Sequence, residues 1–134
     1  MRVGELTTIT YDETFIYCES EKTRKGYAKV IRQIPISPML KIVMTLIDLE
    51  QVKTASRYTI RDALKRIFPK RHIHELRYSF ITRAKECGCN PELVMKWVGH
   101  EFDADVKTSR VDRGYTTYSE EYILQEINKI SYLL

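Results

Sequence analysis

The sequence has no apolar run approaching the ~20 residues of a membrane-spanning helix. Its first residues, MRVGELTTITYDE, lack the basic start and apolar middle of a secretory signal. The expectation is a cytoplasmic chain with no membrane partner. Cysteine is scarce: Cys18, Cys87 and Cys89 form no paired framework, and Cys87 and Cys89 stand too close for an ordinary disulfide. They also lack the further Cys or His ligands at characteristic spacing that a structural zinc ion requires. Free thiols in a reducing compartment are the expected state. No internal repeat, no low-complexity linker and no paired-carboxylate or metal-binding motif is present.

What is present fits one domain: 134 residues, 43% of them hydrophobic, with a net charge of +4. The charge is unevenly placed. Residues 51–100 carry eleven Lys and Arg against four Asp and Glu, whereas residues 101–134 carry four against seven. A basic centre followed by an acidic tail suits a surface that meets phosphates and a segment that does not.

Residues 6–36 alternate apolar and polar positions and predict strands, with EKTRKG as a turn. Pro38 opens a helix running to about Val52, with Leu40, Val43, Met44, Ile47 and Leu49 as its apolar positions. Ser56 caps a second helix over residues 59–68, which Pro69 stops. A third spans 74–87, with Leu76, Phe80, Ile81 and Ala84 as its buried stripe and Gly88 as its terminal cap. Asn90 caps PELVMKWVG, and a polar loop leads to a last amphipathic helix over 119–132, including Tyr122, Ile123, Ile127 and Ile130. Trp97 belongs to the core. The predicted class is α+β, mostly helical with a small N-terminal antiparallel sheet.

The chemistry-bearing span is Ile73 to His100, IHELRYSFITRAKECGCNPELVMKWVGH. His74 and Arg77 stand at one helix start, Gly99 and His100 at another helix end, and Tyr115 follows in RGYTTYS. These groups suit a phosphodiester. A guanidinium grips non-bridging oxygens in a two-pronged, permanently charged fork; imidazoles donate to the same phosphate or move protons; a phenol can attack phosphorus.

The run resembles the catalytic domain of tyrosine recombinases, the phage-integrase family. Their His-x-Leu-Arg, Leu-Gly-His and Tyr-Thr-His boxes are matched here by HELRYSF, WVGH and YTTY. MRVGEL is similar to the family's first arginine box, and KTRKGYAKVIRQIPIS to the β-hairpin that delivers a catalytic lysine. The order is right and nearly the whole chain is covered. Tyr78 and Ser79 depart from the family's common His-Thr after the arginine.

By that resemblance Arg2 and Arg77 are the phosphate-gripping arginines, and His74 is a base or phosphate ligand. His100 is a second phosphate donor and Tyr115 the nucleophile, with Tyr118 as the alternative. Lys22, or alternatively Lys25, protonates the leaving oxygen. No metal, nucleotide or other cofactor is implied. Arg57, Arg61, Lys65, Lys70 and Arg71, with Lys53 and Arg66, are expected to contact the DNA backbone, which fixes register and carries no base information.

The resemblance implies double-stranded DNA as substrate and further recombinase protomers as partners: a tetramer on DNA, a monomer or weak dimer in solution. The last helix could dock on a neighbouring protomer or fold back on its own domain. Because the family's first box normally follows a DNA-clamping domain, the match beginning at Arg2 implies a chain lacking that domain. Two further readings remain open: a DNA-binding or partner-binding integrase remnant without activity, and a type IB topoisomerase.

Overall fold

Local side-chain hydrogen bonds, rather than strand pairing, decide the start of the chain. In the computed structural model, which describes residues 2–19, 31–100 and 117–132, Val3–Thr8 forms a short 3-10 helix. The Glu5 carboxylate accepts the Arg2 backbone N–H at 2.6 Å. The Thr7 and Thr8 hydroxyls donate to the carbonyls of Gly4 and Glu5 at 3.3 and 3.2 Å. Such bonds offer the backbone an alternative to a sheet ladder. The strand region predicted from residue 6 therefore begins at Thr10.

Three strands, β1 (Thr10–Tyr11), β2 (Phe15–Glu19) and β3 (Ile31–Pro35), make one antiparallel sheet in sequence order. Asp12 forms the β1–β2 turn, its Oδ1 accepting the N–H groups of Thr14 and Phe15 at 2.7 Å each. The β2–β3 register sets Cys18 opposite Arg32.

Helix α1 (Pro38–Leu46) starts at Ser37, whose hydroxyl accepts the Leu40 N–H. The single helix predicted to run to Val52 is two. Asp48 accepts the N–H groups of Glu50 and Gln51 at 3.0 and 3.3 Å and restarts the chain as α2 (Leu49–Thr54). Only Leu40 and Met44 of α1 pack on the sheet cluster of Ile9, Ile16, Cys18 and Ile36. Val43 and Ile47, predicted as inward, are 39% and 42% exposed. Ser56 caps α3 (Arg57–Ile67), accepting the Thr59 N–H at 3.1 Å.

The larger core lies among α4 (Ile73–Glu86), α5 (Pro91–Val98) and α6 (Glu120–Asn128). Ile81, Ala84, Leu93, Val94, Trp97, Val98, Ile127 and Ile130 are its buried side chains, joined by Cys89. Asn90 Oδ1 caps α5 by accepting the Glu92 N–H at 2.9 Å. Glu126, 3% exposed, ties α6 to the α4–α5 turn by accepting the Asn90 N–H at 2.7 Å, and it also accepts Lys129 Nζ from the end of its own helix at 2.5 Å. Ile127 and Ile130 of the last helix's apolar stripe are buried in this core, with Tyr122 and Ile123 packed against it. The architecture is α+β, mostly helical with a small antiparallel sheet. No helix among the described residues is long and apolar enough to cross a membrane.

Candidate active site

Two helices present the same spacing to one cleft. Arg57, Tyr58 and Arg61 of α3 stand at i, i+1 and i+4, as do Ile73, His74 and Arg77 of α4, so each trio shares a helix face. With Arg2, Val3 and Gly4 they line a cleft of about 260 Å³. Three chain segments thus bring together Arg2, Arg57, Arg61, His74 and Arg77. Among the described residues, no carboxylate lines the cleft.

Arg77 reaches this place because it occupies a core position of its helix. Ile73, Arg77, Phe80, Ile81 and Ala84 follow the 3.6-residue period on the inward side. Leu76 lies about 100° from Arg77 around the helix and is 54% exposed, contrary to its predicted place in the buried stripe. An inward arginine needs acceptors. Its Nη2 donates to the Val98 carbonyl, in the last turn of α5, where carbonyls lack intrahelical partners and the helix end is negative. Its Nε is buried with no acceptor among the described residues. Burial first, then repulsion from Arg2 and Arg32, holds its pKa below the usual arginine value, while Glu5 opposes the shift.

The end of α5 also positions His100. Gly99 is left-handed, φ +68°, and its N–H and that of His100 donate to the carbonyls of Lys96 and Met95, both at 3.1 Å. This cap favours glycine. His100 is exposed two residues beyond the carbonyl that Arg77 holds. It is not among the cleft-lining residues.

Sequence reasoning missed a buried ion pair beside the cluster. Glu5 Oε2 accepts Arg32 Nη2 at 2.5 Å, with side-chain exposures of 10% for Arg32 and 0% for Glu5. Arg32 Nη2 also lies 3.2 Å from Cys18 Sγ. The strand pattern held the signal: Arg32, Ile34 and Ile36 alternate onto one face, which makes Arg32 an inward cation in need of a partner.

The other residues expected to act on DNA divide clearly. Lys65 and Lys70 are exposed outside the cleft, and Arg71 Nη1 pairs with Glu75 at 3.0 Å. Arg61 lies over the Tyr58 ring at 5.3 Å and pairs with Asp62 at 2.9 Å. Lys22, Lys25 and Tyr115 lie outside the described residues.

Tyr118 is engaged elsewhere. Its hydroxyl donates to Glu92 Oε2 at 2.7 Å, and its ring stacks on Tyr122 at 5.4 Å. The hydrogen bond to Glu92, then burial, raises its pKa. Glu92 is in the first turn of α5, whereas Val98 ends it, and an eight-residue helix is ~12 Å long. The alternative nucleophile is thus held at the far end of α5 from the Arg77–Val98 contact.

Comparisons of the chain with protein-family models, with characterised proteins and with solved structures gave no match.

Proposed function

We propose that the chain is the catalytic domain of a tyrosine recombinase, which cuts and rejoins double-stranded DNA through a 3′-phosphotyrosyl bond. The observation that carries this reading is the single cleft lined by Arg2, Arg57, Arg61, His74 and Arg77. Burial first, then the positive charges of Arg2 and Arg32, lowers the Arg77 pKa, and one carboxylate, Glu5, opposes them. Such a cluster carries excess positive charge, and an anion relieves the repulsion.

In this reading Arg2 and Arg77 grip the non-bridging oxygens of the scissile phosphate. The Tyr115 phenol oxygen forms a bond to phosphorus as the bond to the 5′-oxygen breaks. His74 takes the phenol proton, which at an ordinary pKa of ~10 does not leave unaided at neutral pH. Lys22 or Lys25 protonates the departing 5′-oxygen, and His100 donates to the phosphate. The covalent bond stores the phosphodiester energy, so a second strand's 5′-hydroxyl can reverse the step. Lys22, Lys25, Tyr115 and His100, which does not line the cleft, take their roles from the sequence resemblance alone.

A nicked suicide duplex tests the proposal. The short fragment bearing the freed 5′-hydroxyl diffuses away after cleavage, and a denaturant-resistant protein–DNA adduct accumulates if the reading holds. Loss of the adduct in Tyr115→Phe assigns the nucleophile. A gel shift without any adduct overturns the catalytic reading in favour of DNA binding alone. Relaxation of supercoils without exchange between two sites makes the protein a topoisomerase.

A further inference from the structure

We propose that Arg32 is a positioning residue of the phosphate site, an inference that rests on the anion-binding reading of the cleft. Arg32 is not among the cleft-lining residues; it acts through the segments that carry Arg2 and His100. Its guanidinium meets Glu5 on one side, and the same Glu5 oxygen accepts the Arg2 backbone N–H at 2.6 Å. On its other side it lies against Gly99. A Cβ built there would overlap Nη1 outright and stand 3.2 Å from Nε. No other residue leaves that space, so Gly99 serves both the left-handed cap and this close approach.

The contacts form one chain. Arg2 is tied to Glu5, Glu5 to Arg32, Arg32 to the Gly99–His100 turn, and that turn to Arg77 through the Val98 carbonyl. A planar fork bridges a carboxylate and a backbone turn at once. A lysine ammonium keeps the charge and lacks the breadth. Arg32 Nε has no acceptor among the described residues, so half of the fork is held by packing rather than by a second ion pair. A merely structural pair would stabilise the fold and leave anion affinity unchanged.

Inorganic phosphate, titrated onto the full chain and followed by the imidazole proton resonances of His74 and His100, separates these cases. In the wild type both resonances are expected to shift with one dissociation constant. Arg32→Lys is expected to weaken phosphate about tenfold while retaining the folded spectrum, because it keeps charge and loses position. Gly99→Ala, which displaces the guanidinium, is expected to do the same.

Unchanged phosphate affinity in folded Arg32→Lys overturns the positioning role and leaves the anion site standing. Absence of any wild-type response overturns the anion site itself. If Arg32→Lys does not fold, Glu5→Gln carries the test. It removes a negative charge, so simple electrostatics predicts tighter phosphate binding, whereas the positioning chain predicts weaker binding. Tighter binding overturns the proposal.

Discussion

The Arg77 guanidinium donates to the Val98 carbonyl, joining the start of α4 to the end of α5 across 21 residues of sequence. This bond aims Arg77 at the cleft and fixes the turn that carries His100. Arg77→Lys keeps a cation and loses the fork. Single-turnover cleavage of the suicide duplex is expected to fall about 10²–10³-fold, the range for losing one transition-state donor. On the proposed reading DNA affinity should change far less, since Arg2, Arg57 and Arg61 remain in the cleft. Cleavage at the wild-type rate would remove Arg77 from the site.

The cleft also sorts the basic residues of the α3 region. Arg57 and Arg61 line it, whereas Lys65 and Lys70 stand outside. Each phosphate contact contributes about 0.9 to the slope of log affinity against log salt on duplex DNA. Arg61→Ala is therefore expected to reduce that slope by about one unit, and Lys70→Ala to leave it unchanged. Filter binding across a salt series measures both, and equal losses would spread the DNA footprint beyond the cleft.

Much of the fold was legible where chemistry is local. Ser56 and Asn90 each cap the helix that the sequence assigned to them, because a side-chain oxygen accepting an N–H two or three residues on leaves a short-range signature. Asp48 carries the same signature, but the apolar residues on both sides, Ile47 and Leu49, continue a helical pattern across it. The arginine box itself distorted the reading of α4: a core position holds Arg77, so counting only apolar residues moved the stripe onto Leu76. The Glu5–Arg32 pair spans 27 residues and two unlike elements, and no local pattern links the partners. Arg2, His74 and Arg77 were named from motif order, and their meeting with Arg57 and Arg61 needed the packing of α3, α4 and the N-terminal turn.

Acid should loosen the packing of α6. Glu126 is buried, which alone raises its pKa. The Lys129 ammonium and the Asn90 N–H outweigh that and hold it below the ordinary carboxylate range. A group whose folded pKa is depressed contributes stability at pH above its unfolded value, and that contribution fades as pH falls through the folded one. Urea unfolding of the wild type should therefore weaken below about pH 4.5. Glu126→Gln, which cannot ionise, should be about 1–3 kcal/mol less stable at neutral pH and show a flatter acid limb. An acid limb identical in both proteins would assign the loss to other carboxylates.

Tyr118 and Tyr115 can be separated by two measurements on one variant. The Tyr118 hydroxyl donates to Glu92 and accepts from Asn90 Nδ2 at 3.3 Å, so removing it breaks the network at the start of α5. Tyr118→Phe is expected to cost about 1 kcal/mol of stability and to leave the suicide-substrate adduct intact. In the wild type this phenol should ionise above the ordinary tyrosine range, because Glu92 and burial both oppose a phenolate. A raised folded pKa means that its contribution is full below the unfolded value and is lost as alkali deprotonates it. Ultraviolet titration of Tyr118→Phe should accordingly lack one tyrosinate step above the ordinary range, where Tyr17 and Tyr132 also ionise. An adduct lost in Tyr118→Phe but kept in Tyr115→Phe would require Tyr118 to leave Glu92 and reach the cleft, and the nucleophile would be reassigned.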